Sequence, residues 1–133
     1  MASIRGKNTK PERLVFRHLR REGIYFQKHY RRAPGCPDVA WPRRKIAVFI
    51  DGDFWHGRHF SRLKTRLTNP YWREKIQTNI RRDRRKLREL RALGWKVVKI
   101  WESDLMRKRT QPKVLRKILA LPGIKRKAPT GKG

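Results

Sequence analysis

The chain has 133 residues, one domain's worth and long enough to bury a hydrophobic core. Lysine and arginine outnumber aspartate and glutamate by 38 to 10, a formal charge of +28, so the chain repels itself until it meets a polyanion, and nucleic acid is the partner to expect. A single cysteine, Cys36, excludes an internal disulfide and a cysteine-rich zinc site, and no apolar run reaches membrane-spanning length; a cytoplasmic, nucleoid-associated location is the expectation.

In chain order, residues 1–8 are basic and aperiodic and read as a flexible arm. Thr9-Lys10-Pro11-Glu12 is a helix start, with Thr9 as cap, Pro11 in the first turn and Glu12 spaced for a capping box. The helix should run to about Glu22 and stop at Gly23. Val15, Phe16 and Leu19 cluster around the direction of Glu12, while Arg13, Arg17 and Arg20 face away. Glu12 is therefore either a capping residue or an acid carried inward to a site. Ile24–Tyr30 reads as a strand, and Ala33–Pro37 as a turn cluster. Asp38 then leads into a short strand, Val39–Trp41, and Pro42-Arg43-Arg44 turns it into Lys45–Ile50. This second run, with five apolar residues in six, suits a fully buried strand, antiparallel to the first.

The buried strand ends abruptly in Asp51-Gly52-Asp53-Phe54-Trp55-His56. Two acids, two large aromatics and a histidine are thereby delivered to a sheet edge, where Asp38 should join them from the other arm of the hairpin. After a basic loop, Asn69-Pro70 opens a long helix from about Tyr71 to Leu93, ended by Gly94. Its apolar stripe is Trp72, Ile76, Ile80, Leu87 and Leu90, at spacings of four, four, seven and three. Asp83 fills the gap in that stripe, with Asn79 at the margin. A carboxylate on a buried face is costly unless partnered, so Asp83 calls for a basic side chain, a metal or a histidine, and His56 is the candidate. Lys96–Trp101 is a further strand, Glu102-Ser103-Asp104 turns out of it, and Gln111-Pro112 starts a last helix to about Leu121. The basic, Pro/Gly-punctuated stretch 123–133 reads as a disordered tail. The resulting order (helix, three strands, helix, strand, helix) is a single α/β domain over residues 1–122, with a small mixed central sheet between helices.

Glu12, Asp38, Asp51, Asp53, His56 and Asp83 are the groups with inward or sheet-edge placement. Carboxylates so gathered suit Mg²⁺ through hard oxygen ligands. A metal there polarises a phosphoryl oxygen, and a histidine oriented by a carboxylate takes the proton of an attacking water. These are the parts of a metal-dependent phosphodiesterase. Phe54 and Trp55 either seal the core or serve as an apolar wedge between base pairs, and Trp72 carries the same two readings.

The runs SIRGKNTKPE, PGCPD, VFIDGDFWHG, NPYWREKIQTNIRRDRRKLRELRALGW and VVKIWE together resemble the very short patch repair (Vsr) endonucleases, over nearly the whole chain. That family is a branch of the PD-(D/E)xK, restriction-endonuclease-like fold. The resemblance implies a Mg²⁺-dependent enzyme that nicks one strand of duplex DNA at T:G mismatches, acting as a monomer with mismatch-repair proteins as possible partners. By position, Asp38 and the backbone carbonyl of Ile50 match metal ligands, His56 the general base, Asp83 the acid that orients it, and Glu12 an active-site glutamate. Phe54, Trp55 and Trp72 match aromatics that intercalate beside the mismatch, Asn79 belongs with them at the DNA surface, and Arg5 and Lys7 lie on an arm that follows DNA. Two departures stand out. A structural zinc of relatives has Asp53, Arg58, Phe60 and Ser103 at its ligand positions here, so no structural zinc is expected. Asp51 stands where relatives carry a histidine, which suggests an additional metal ligand and opens the alternative of a nuclease cutting specific or branched DNA without mismatch preference. A non-catalytic DNA-binding protein, in which the acids only cap and pair, is the alternative from another class.

Overall fold

A computed structural model of the chain describes residues 9–53, 56–58 and 69–123. Arg5, Lys7, Phe54, Trp55 and the basic tail beyond Gly123, all singled out above, lie outside the described residues. Among those described, no helix is long and apolar enough to cross a membrane.

Helix α1 spans Lys10–Arg21, with Thr9 at its N-cap, Pro11 in its first turn, and Gly23 in the left-handed region (φ +70°) just past its end. The capping box does not form. The Thr9 side chain makes no cap hydrogen bond, and its buried Oγ1 has no hydrogen-bond partner among the described residues. Glu12 turns inward instead and is 1% exposed, beside Val15, Phe16 and Leu19.

The expected strand over Ile24–Tyr30 shrinks to β1, Gln27–Lys28. Backbone explains the difference. His29 adopts φ +48°, outside the extended region, so the strand cannot continue through it. Upstream, the Tyr25 carbonyl is taken by the Trp41 indole N–H at 2.7 Å.

Strand β2, Val39–Trp41, pairs antiparallel with β3, Ile46–Asp51, with Val39 opposite Val48. The expected tight turn between them is one turn of 3₁₀ helix, Pro42–Arg44, closed by Lys45 at φ +53°. Helix α2, Pro70–Ala92, is the crossover that returns the chain to β4, Lys96–Trp101, parallel to β3. Asn69 caps α2, its side-chain oxygen accepting from the Tyr71 N–H at 2.9 Å. Glu102-Ser103-Asp104, expected as a turn, is the first turn of a short helix α3, Glu102–Met106, and α4 follows at Gln111–Ala120.

The sheet runs β1-β2-β3-β4 and is mixed. Alternation along β3 divides the core. Ile46, Val48 and Ile50 pack with Val15, Phe16 and Leu19 of α1, Leu105 of α3, and Leu115 and Ile118 of α4. Ala47 joins Leu90 of α2 on the other face, with Phe49, Trp95 and Val97 packed against them. This is the α/β, restriction-endonuclease-like layering expected from the sequence. The stripe on α2 is buried only at Ile76 and Leu90. Trp72, at the start of the helix, is 37% exposed and meets Tyr71 edge-on, so it is not a core residue.

Candidate active site

Because side chains alternate along a strand, Ile50 and Asp51 at the end of β3 leave the sheet on opposite faces. Each face carries a group of acids and a histidine. Glu12, His29 and Asp38 form one group and Asp51, His56 and Asp83 the other, and within each group the potential ligand atoms lie within 4.8 Å of one another.

In the first group, the antiparallel hairpin brings Asp38 beside the end of β3, where its Oδ2 accepts from the Ile50 backbone N–H at 2.7 Å. The Asp38 carbonyl accepts from the His29 backbone N–H at 3.0 Å, and His29 Nε2 lies 3.0 Å from Glu12 Oε1. Glu12 and Asp38 are buried, the first carried on α1 and the second lying immediately before β2.

In the second group, one turn after β3, the His56 backbone N–H donates to the Gly52 carbonyl at 3.2 Å. His56 Nδ1 lies 2.6 Å from Asp83 Oδ2 and 3.7 Å from Asp51 Oδ2. An ionised carboxylate only accepts, so the Asp83 contact assigns the ring proton to Nδ1 and leaves Nε2 with a lone pair. Asp83 is the gap in the α2 stripe, and its partner is a histidine. Lys99 Nζ of β4 lies 3.4 Å from Asp51 Oδ2 and 3.6 Å from Asp83 Oδ2.

The structure therefore gathers five of the residues singled out above, Glu12, Asp38, Asp51, His56 and Asp83, about one strand end. On the same helix as Asp83, Asn79 is half-buried and Trp72 exposed. Sequence reasoning missed His29 and Lys99. The signal for Lys99 was a lysine at an interior strand position, between Val98 and Ile100, both buried on the opposite face. No local signal marked His29, whose place follows from its positive φ.

Near the site, Asp53, Arg58 and Ser103, three of the four positions that the resemblance matches to zinc ligands, are joined directly. Ser103 donates to Asp53 through its hydroxyl at 2.6 Å and its backbone N–H at 3.2 Å. The Arg58 guanidinium donates to Asp53 at 3.2 Å and Ser103 Oγ at 2.9 Å, and forks onto both oxygens of Asp104 at 3.1 Å. It also lies over the Trp101 ring, 5.4 Å from the centroid. Burial opposes ionisation of Asp53, but the bonds from Ser103 and Arg58 outweigh it and lower its pKa below the ordinary carboxylate value. Desolvation likewise works against the Arg58 charge, and Asp104 and Asp53 more than compensate, raising its pKa. This network ties the loop that carries His56 to the start of α3.

Residues 1–62 match the family described as DNA mismatch endonuclease Vsr. The chain is 41% identical over 109 residues to the type II nicking enzyme V.XorIIP of Xanthomonas oryzae pv. oryzae, covering 79% of this chain and 78% of that protein. It is 36% identical over 108 residues to the type II nicking enzyme V.HpaIIP of Haemophilus parainfluenzae, with 80% and 77% covered. To the DNA mismatch endonuclease Vsr of Escherichia coli it is 34% identical over 106 residues, covering 79% of this chain and 68% of that enzyme.

Proposed function

The chain belongs to the Vsr family of DNA endonucleases, and from that premise we propose that it nicks one strand of a duplex at a T:G mismatch, with Mg²⁺ as the assisting ion. The observation that carries the chemistry is the His56–Asp83 pair, 2.6 Å apart beside Asp51.

Hydrolysis of a phosphodiester needs a base for the attacking water and a counter-charge for the phosphorane that forms. His56 supplies the first. With Asp83 holding the Nδ1 proton, Nε2 takes a proton from water as its oxygen bonds to phosphorus. The bond from phosphorus to the leaving sugar oxygen breaks, that oxygen takes a proton from solvent, and His56 then returns its own proton to solvent. Asp83 stabilises the imidazolium between these steps, as a carboxylate does in any histidine base oriented from behind.

The donor set suits a hard divalent cation, since each face of the strand end carries two carboxylates and a histidine whose ligand atoms lie within 4.8 Å of one another. Asp38, Asp51 and the Ile50 carbonyl would hold the ion. When bound, it polarises a phosphoryl oxygen and neutralises developing charge. Glu12, bonded to His29 behind Asp38, would fix that acid from the α1 side.

Substrate binding falls to the remainder of the chain. Arg5 and Lys7 on the arm would follow the backbone, Asn79 would lie at the DNA surface, and Phe54, Trp55 and exposed Trp72 would enter the stack beside the mismatch. Such an enzyme would act as a monomer at the nucleoid, alongside mismatch-repair proteins.

Matched and T:G duplexes incubated with Mg²⁺ or with EDTA test this directly. Metal-dependent nicking of the T:G duplex alone is the expected result, abolished in Asp38→Asn and His56→Ala with duplex binding largely kept. Equal cutting of both duplexes would remove the mismatch preference and leave a nuclease of another specificity. No metal-dependent cut in either would leave a DNA-binding protein.

A further inference from the structure

Strand β4 looks like scaffold, yet one of its side chains reaches the acids. The parallel register sets Lys99 opposite Phe49 and Trp101 opposite Asp51, so Lys99 shares the face from which Asp51 leaves the sheet. The Lys99 ammonium lies over the Trp101 ring, 4.7 Å from the centroid, and on the side of Asp51 and Asp83.

Its two anionic contacts are loose. At 3.4 Å from Asp51 and 3.6 Å from Asp83, the ammonium is beyond the roughly 2.7–2.9 Å of a direct charge-assisted hydrogen bond. It acts as a counter-ion shared by two carboxylates and is locked to neither. Asp83 Oδ2 is already committed to His56 at 2.6 Å. A divalent cation that takes Asp51 therefore removes one of Lys99's two partners and repels its charge as well. The anion that the proposed reaction would then bring to a lysine beside these acids is the substrate phosphodiester.

We propose that Lys99 is a catalytic residue, the resident counter-ion of Asp51 and Asp83 in the metal-free enzyme and a ligand of the scissile phosphate once metal and DNA are bound. The inference rests on the nuclease reading above and adds to it a phosphate ligand from β4. A three-donor ammonium suits a non-bridging phosphate oxygen whose charge grows in the transition state, where a fixed cation is worth most. A purely structural ion pair would predict something different: removing it would weaken the fold and leave the rate on saturating metal unchanged.

Lys99→Met, which keeps the apolar stem over Trp101, and Lys99→Arg separate these cases in the full-length chain. Calorimetric titration with Mn²⁺ in the absence of DNA should show tighter binding to Lys99→Met than to wild type, because a competing cation is gone. Single-turnover nicking of a T:G duplex at saturating Mn²⁺ should nevertheless fall on the order of 10²-fold, the usual cost of losing one fixed stabiliser of transition-state charge. Lys99→Arg should recover part of that rate. Wild-type nicking by Lys99→Met at saturating metal would overturn the catalytic role, and unchanged Mn²⁺ affinity would overturn the counter-ion role. If Lys99→Met melts well below wild type, Lys99→Arg decides: full loss of rate in a stably folded Lys99→Arg with unchanged Mn²⁺ affinity overturns the proposal. A wild-type chain that binds Mn²⁺ but nicks neither duplex overturns the nuclease reading, and the catalytic role falls with it.

Discussion

His56 and Asp83 make the sharpest demand on single atoms. Asp83→Asn keeps the shape of the side chain but can present its amide N–H to Nδ1, which favours the tautomer protonated at Nε2 and removes the base. Nicking should fall about 10²–10⁴-fold, the range of a general base, with duplex affinity unchanged or slightly higher because one negative charge is lost. Single-turnover rates and a filter-binding isotherm on the same preparation check both halves, and a rate within a few-fold of wild type would dismiss the pair. Asp51 has a different signature. If it holds the ion, Asp51→Asn should raise the Mg²⁺ concentration needed for half-maximal rate, and much of the lost activity should return at high Mg²⁺. An unrecoverable loss would make Asp51 a partner of His56 or Lys99 instead, since both lie within 3.7 Å of it.

Between β3 and α2, one loop sets the position of His56, and two devices hold it. Gly57 has φ +70°, and a Cβ there would come within 2.5 Å of Ile80 Cδ1 on α2. Gly57→Ala should therefore push the loop off α2, lengthen the His56–Asp83 contact and lower both melting temperature and rate; unchanged values of both would show that the loop has slack. The Asp53–Arg58–Ser103–Asp104 network pins the other side. Asp53 has a depressed pKa when folded, so its contribution is present above the unfolded value near 3.8 and is lost as pH falls through the lower folded value. Stability should therefore fall less steeply on acidification below pH 4 in Asp53→Asn than in wild type, which chemical denaturation across that range would read. The two devices also mark how far local sequence carries. Asp83 was legible because helical periodicity makes a gap in an apolar stripe visible, although the stripe is buried only at Ile76 and Leu90 and Asp83 is half-buried. The hairpin that brings Asp38 to Ile50 was legible for a similar reason, from a buried run flanked by a turn. Lys99 and His29 were not, because one depends on a parallel register set across a whole helix and the other on a backbone angle that no neighbour announces. The capping box at Thr9 failed because the same spacing serves an inward glutamate, and the pull of His29 decides between them.

At the scale of the molecule, charge is distributed unevenly in a way that function can use. Of ten acids in a chain of +28, Glu12, Asp38, Asp51, Asp53, Asp83 and Asp104 gather about the C-terminal end of β3 and the start of α3. The chain thus carries a local cluster of acids within a polycationic body. On the nuclease reading proposed above, duplex DNA would be drawn to the body through release of condensed counterions and repelled locally at these acids. A divalent cation held by these acids would reverse that local repulsion, so metal and DNA binding should be positively coupled. By linkage the coupling must be reciprocal, with DNA tightening metal binding by the same factor. Replacing Mg²⁺ by Ca²⁺, a hard cation of the same charge but larger coordination shell, should give this coupling separately from turnover. At constant ionic strength, Ca²⁺ should tighten duplex binding to wild type and do so less for Asp51→Asn, in which part of the repulsion is already gone. The overall affinity should still fall steeply with monovalent salt, each neutralised phosphate contributing about 0.9 to the logarithmic slope. Equal tightening by Ca²⁺ in both proteins would locate the ion away from Asp51, and none in wild type would mean that the basic body alone governs how this chain holds DNA.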